Sequence, residues 1–176
     1  LLKKDNIRLR EILSLQDSSN NENISAAVIS RKTGSWWRQI ILNKGSKDGV
    51  EIGSTVVGPG GLLGRVKNTS LFTSSVTLLT SPESKVGVWV DRIQINGLLV
   101  GLGDDYPSLI LYSKDADIKV GDFVSSSPAS TLLPPNIPIG IVHSIDEPFK
   151  ARKIAKISLL AKPHAIDWVQ ILEVKI

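Results

Sequence analysis

The apolar residues of the chain change their spacing near residue 24. Before it, Leu2, Leu9 and Leu13 recur on one seam with Asn6 between them, in a stretch without Gly or Pro, and this predicts a helix over residues 1–18. An Asn on such a seam sets register and strand number in coiled coils. Two heptads do not hold a coil by themselves, because isolated helices below about 12–15 residues are marginal in water. Two readings stay open: an amphipathic helix docked on its own domain, or the downstream end of a longer coil. The polar stretch 17–23 (DSSNNEN) then separates the helix from the rest.

From Ile24 onward, short runs rich in Val and Ile alternate with Gly, Pro, Asn and Ser turns. They cover residues 25–30, 37–42, 54–57, 62–66, 75–79, 86–90, 97–100, 108–112, 123–126, 139–145, 154–160 and 170–176. Short strands spaced by roughly 8–12 residues predict an antiparallel barrel or sandwich. Beyond residue 18 the pattern offers nothing helical except a turn near 164–169, which excludes βαβ units and doubly wound folds.

This body repeats itself. Ser46-Lys47-Asp48, Ile52-Gly53 and Val56 precede Gly61-Leu62-Leu63-Gly64-Arg65-Val66; Ser113-Lys114-Asp115, Val120-Gly121 and Val124 precede Ile137-Pro138-Ile139-Gly140-Ile141-Val142. Turns everywhere favour Gly, Asp and Ser, but two elements in the same order at similar separation predict two related small barrels. The expected division is a first barrel over residues 24–100 and a second over 101–176, with the last strands able to cross back to the first. Gly53, Gly64, Gly121 and Gly140 are assigned to backbone geometry at strand ends and tight turns rather than to ligand contact.

Composition narrows the function. The 176 residues are 41% hydrophobic and 22% charged, an ordinary globular balance that excludes disorder. No apolar run approaches the roughly 20 residues of a membrane-spanning helix. Without Cys there is neither a disulfide scaffold nor a thiolate zinc site. Without Met, a processed or excised form is expected, with a targeting or anchoring segment ahead of Leu1. The net charge of +4 is scattered; its densest group, Lys150, Arg152, Lys153 and Lys156, lies beside Asp146 and Glu147 and reads as a solvated face.

Candidate chemistry is sparse. Two successive barrels with Ser125-Ser126-Ser127 in the second invite a serine-protease reading, but residues 24–100 hold no His and no Gly-x-Ser-Gly context surrounds the serines. His143 and Glu147 have no third ligand nearby for a catalytic zinc, and His164 follows Pro163 in a turn. Gly58-Pro59-Gly60-Gly61 fits a hairpin rather than a phosphate cradle, with no helix after it. A nucleic-acid-binding tandem barrel is the alternative function, since small basic barrels stack bases on aromatics in a positive groove. Aromatics are only 5%, however, and they are not interleaved with Lys or Arg except around Trp36-Trp37-Arg38. At adjacent strand positions the two indoles face opposite ways, one to the core and one outward as a potential protein contact.

Several phrases together carry a resemblance. They are Asp5-Asn6-Ile7-Arg8-Leu9-Arg10-Glu11-Ile12-Leu13, NKGSKDGVEIG from Asn43, GLLGRV from Gly61, GLLVGLG from Gly97, VGDFV from Val120, PNIPIGIV from Pro135 and IDWVQILEV from Ile166. In that order over nearly the whole chain, they resemble the extracytoplasmic part of the bacterial rod shape-determining MreC family. The chain departs from the family pattern at Ser126-Ser127-Pro128-Ala129, where members often continue into Ser-Gly and further glycines.

The resemblance implies a mainly β fold: the end of a coiled coil followed by two six-stranded barrels on the extracytoplasmic, periplasmic face of the inner membrane, behind a single-pass anchor. It implies a non-enzymatic scaffold of the elongation machinery with no catalytic residue, metal or cofactor. Its implied partners are a second copy of the chain in a homodimer or higher assembly, the elongation penicillin-binding transpeptidase and other wall-synthesis membrane proteins, among them MreD and, indirectly, the actin-like MreB; nucleic acid is not among them. Leu2, Asn6, Leu9 and Leu13 are then the dimerisation seam. Trp36, Trp37 and Phe149 are candidate partner contacts that no family motif marks.

Overall fold

The structure, a computed structural model, describes residues 23–32, 38–111, 113, 115–146 and 153–172. The helix expected over residues 1–18 lies outside the described residues. Twelve strands follow: β1 (Ile24–Lys32), β2 (Gln39–Leu42), β3 (Thr55–Gly58), β4 (Gly61–Thr69), β5 (Ser74–Leu78), β6 (Lys85–Val90), β7 (Ile95–Val100), β8 (Ser108–Leu111), β9 (Phe123–Ser126), β10 (Pro138–Asp146), β11 (Lys153–Leu159) and β12 (Trp168–Leu172). Single 3₁₀ turns at Ser46–Asp48 and Pro163–Ala165 complete the regular structure.

Period-two alternation decides which face of each strand is buried. In β6, Val86, Val88 and Val90 point inward while Lys85, Gly87 and Trp89 do not; in β5, Ser74, Val76 and Leu78 are buried between half-exposed neighbours. All pairs are antiparallel, and they close into two six-stranded barrels, β1-β12-β3-β4-β5-β2 and β10-β11-β8-β7-β6-β9.

The two barrels are one circuit cut at different points. Followed through its hydrogen bonds, the first runs β3, β4, β5, β2, β1, β12; the second runs β9, β10, β11, β8, β7, β6. The position that β6 fills at the start of the second barrel is filled in the first by β12, which arrives from the far end of the chain. β12 pairs with β1 from Ile24↔Ile171 to Ala27↔Trp168, and with β3 from Val57↔Gln170 to Thr55↔Leu172. The second barrel is therefore an insertion within the first. Its chain enters after Leu78 and leaves after Leu159, so the division expected at residue 100 is displaced. β6 and β7 form a hairpin, Lys85↔Val100 to Val90↔Ile95, and the free edge of β6 takes β9, contributed more than thirty residues later. No change of composition marks that crossing, because strands of both barrels bury the same kinds of side chain.

The barrels are packed on each other, not merely joined. Val57 and Leu62, on the β3–β4 hairpin of the first barrel, belong to the same buried cluster as Ile137, Ile139 and Leu159 of the second. The turn of that hairpin, Gly58-Pro59-Gly60-Gly61, lies against β10 and the residue after β11. A Cβ on Gly60 would stand 2.6 Å from the carbonyl oxygen of Leu160, and one on Gly61 only 2.0 Å from that of Pro138, so backbone meets backbone across the seam. Two ion pairs flank it: Lys67 Nζ to Glu83 at 2.8 Å, and Arg38 Nη1 to Asp105 at 2.8 Å.

Gly61→Ala is expected to force the seam apart and lower stability by about 1–3 kcal/mol, the usual cost of overpacking. Gly87→Ala, where the nearest atoms to a new Cβ lie 3.7 Å away on Ser130, serves as the tolerated control. Thermal denaturation of the two variants side by side checks this.

Candidate functional site

The repeated phrases fold into a repeated device. At the start of the bulged hairpin in each barrel, a glycine with positive φ, Gly53 at 92° or Gly121 at 94°, turns the chain into the strand. Its N–H donates to a Val carbonyl: Gly53 to Val66 at 2.8 Å, Gly121 to Val142 at 2.9 Å. The Val N–H returns a bond to the next residue, Ser54 or Asp122, at 2.9 Å in both cases. Each strand then bulges at the same point, after Val66 in β4 and after Val142 in β10. Gly64 and Gly140 hold equivalent positions in those strands. A Cβ on Gly64 would lie 2.0 Å from the Thr77 carbonyl oxygen, and one on Gly140 2.5 Å from that of Ser158.

The equivalence ends at one side chain. In the second barrel the residue after the glycine is Asp122, and its carboxylate is fully used. It accepts from Arg92 Nε at 2.8 Å and Nη2 at 2.9 Å, and from the Lys119 backbone N–H at 2.8 Å. The same guanidinium also donates to the Asp117 carbonyl. The bidentate bond to Arg92, opposed in part by burial and assisted by the Lys119 N–H, holds the Asp122 carboxyl below the usual carboxylate range. In the first barrel Ser54 stands in its place: among the described residues its hydroxyl accepts only the Glu51 N–H, at 3.3 Å.

The three serines are tied into the fold by hydrogen bonds. Ser125 donates to Asp91 at 3.1 Å; Ser126 donates to the Pro134 carbonyl at 2.6 Å and accepts from Ile137; Ser127 donates to Asn96 at 2.5 Å and accepts from Ala129. These bonds anchor the 128–137 loop where the chain departs from the family pattern. His143 is stacked on Tyr106, ring centroids 4.7 Å apart. Among the described residues no three His, Asp or Glu side chains come together as metal ligands.

What remains open to a partner lies along the seam. Two cavities of about 320 and 330 Å³ meet at Ile52, Gly53 and Arg65; one runs past Lys67 and Lys85, the other past Leu132 and Pro134. A third, of about 260 Å³, is lined by Arg38, Asp105, Tyr106, Lys162 and His164. There the Arg38 guanidinium, with the charges of His164 and Lys162, holds the exposed Asp105 carboxyl below its ordinary range.

Trp36, Trp37 and Phe149, and the seam residues Leu2, Asn6, Leu9 and Leu13, lie outside the described residues. The structure instead exposes apolar side chains that the sequence reading passed over: Ile52 at 66%, Leu132 at 59%, Phe123 and Trp168. Trp168 had a signal, since in β12 it shares the outward register of Gln170. Ile52 and Leu132 had none, lying in turn-rich stretches outside the strand runs.

Known proteins resemble the chain throughout this region. The family described as rod shape-determining protein MreC, barrel core, matches residues 28–173. The cell shape-determining protein MreC of Caulobacter vibrioides is 30% identical over 172 residues, 97% of this chain and 48% of that protein. The chain spans about half the length of the curated relatives it matches. The crystal structure of MreC from Pseudomonas aeruginosa superimposes with a TM-score of 0.77 at 26% identity, covering 86% of this chain and 99% of that one. A complex between a penicillin-binding protein, PBP2, and MreC from Helicobacter pylori contains the same fold, with a TM-score of 0.71 at 17% identity over 88% of this chain and 98% of that one.

Because the Asp122 carboxyl binds its proton less tightly in the folded than in the unfolded chain, its stabilisation is complete above the ordinary carboxylate pKa near 4 and is lost as pH falls through the lower folded value. Asp122→Asn is expected to lower Tm at neutral pH by roughly 2–4 °C. It is also expected to flatten the loss of stability below pH 4, as measured by thermal melts across the acid range.

Proposed function

The chain belongs to the MreC family of rod shape-determining proteins, and from that premise we propose that it is a non-enzymatic, extracytoplasmic scaffold of the cell-elongation machinery. The observation that carries this reading is the match of the family's barrel core across residues 28–173, over both closed barrels. Two closed barrels locked at a glycine seam form a stiff head, suited to holding a partner in one orientation. The partner we assign is the elongation penicillin-binding transpeptidase. This follows the family's role and the complex that the Helicobacter pylori fold neighbour makes with PBP2.

In this account the head works by position. A helix over residues 1–18 pairs Leu2, Asn6, Leu9 and Leu13 with those of a second chain and sets the distance between two heads. Each head keeps a transpeptidase active at the membrane. The rest of the proposed setting is a single-pass anchor ahead of the coil, a periplasmic location, and coupling through MreD, indirectly, to MreB.

Titrating the chain with the purified extracytoplasmic region of its own transpeptidase tests the proposal, with a single-stranded oligonucleotide alongside at two salt concentrations. Saturable binding to the enzyme and none to the oligonucleotide is expected. Binding to the oligonucleotide alone, falling steeply with salt, would overturn it.

A further inference from the structure

Arg65 sits on β4, paired in register with Thr55 and Thr77, at the junction of the two seam cavities. Its Nε is buried and has no hydrogen-bond partner, and the guanidinium makes no ion pair among the described residues. That is a costly state for a half-buried cation. In the second barrel the residue after the glycine, Asp122, engages Arg92 of the β6–β7 turn bidentately, while the β10 position equivalent to Arg65 is the apolar Ile141. With Ser54 at the equivalent point, the first barrel supplies no carboxylate to Arg65.

The surroundings favour an acidic, apolar-flanked visitor. Of the charged residues lining the two cavities, Lys67 and Glu83 neutralise each other at 2.8 Å, leaving Arg65 and Lys85 as uncompensated positive charge. Ile52 from the first barrel and Leu132 from the second are 66% and 59% exposed on the walls, beside Pro134 and Pro135, whose nitrogens carry no hydrogen. A guanidinium fork flanked by apolar side chains is a setting for one carboxylate held between apolar neighbours on an extended chain.

We propose that this groove docks an extended segment of the partner protein, with an Asp or Glu carboxylate on Arg65 and apolar side chains over Ile52 and Leu132. The inference rests on the scaffold reading and locates its contact at the seam, so that the partner bridges both barrels at once. A contact across the seam couples partner binding to the relative placement of the barrels, which a contact on either barrel alone would not do.

The test compares the whole chain with its Arg65→Glu, Arg65→Gln, Ile52→Ser and Lys32→Glu variants, the last an exposed control on β1. Affinity for the transpeptidase's extracytoplasmic region is measured at low and high salt, beside thermal melts and light scattering. Arg65→Glu is expected to weaken binding about tenfold or more, with Arg65→Gln intermediate and less salt-sensitive than the unaltered chain. Ile52→Ser, at an exposed position that leaves folding intact, is expected to weaken it severalfold, and Lys32→Glu to leave it unchanged. Unaltered affinity in both Arg65→Gln and Ile52→Ser would overturn the groove while leaving the scaffold standing. A change confined to the self-association mass would overturn it in favour of a second copy as occupant. Failure of the unaltered chain to bind would overturn both readings.

Discussion

Closure of the backbone ladders is the constraint on which the rest of the molecule depends. An open antiparallel sheet leaves a row of unpaired N–H and C=O groups at each edge, and a barrel removes them only if its last strand arrives. The second barrel meets this condition with contiguous chain, from Lys85 to Leu159. The first cannot: β1 and β3 wait for β12, whose Ile171 pairs with Ile24 on one side and Val56 on the other. The inserted barrel must therefore hold both ends of the first barrel's gap close enough to be joined.

That requirement accounts for the seam. The glycines of the β3–β4 turn let two backbones touch where any side chain would hold them apart, and Val57 and Leu62 carry the first barrel's apolar surface into the second barrel's core. Ion pairs at Lys67–Glu83 and Arg38–Asp105 add orientation more than energy, being partly exposed. The groove beside Arg65 exists because the seam does. Structure and proposed function thus meet at one place, the seam at which the two barrels pack on each other.

Much of this was legible in the sequence. The alternation of Val and Ile against Gly and Ser marked all twelve strands, because a pleated strand with one buried face has no other way to be written. The echo of Ile52-Gly53 in Val120-Gly121 was a true signal of equivalent hydrogen bonds, since only a residue tolerant of positive φ makes that turn. The division between barrels was not legible. The pairing of β6 with β9 is set by closure over a long separation, and nothing local distinguishes a strand that stays from one that crosses, whereas the return of the last strand to the first barrel was open in the repeat reading. Arg65 was equally silent: a single Arg in a strand gains meaning only when its buried Nε is seen to lack a partner at the junction of the two cavities.

Hydrogen exchange on a chain ending at residue 167 tests the central claim, that an autonomous barrel is inserted into one completed by the final strand. The account predicts that amides of β6 to β11 keep their protection while those of β1 and β3 lose it. Retained protection in β1 and β3 would contradict it, as would equal loss through both barrels.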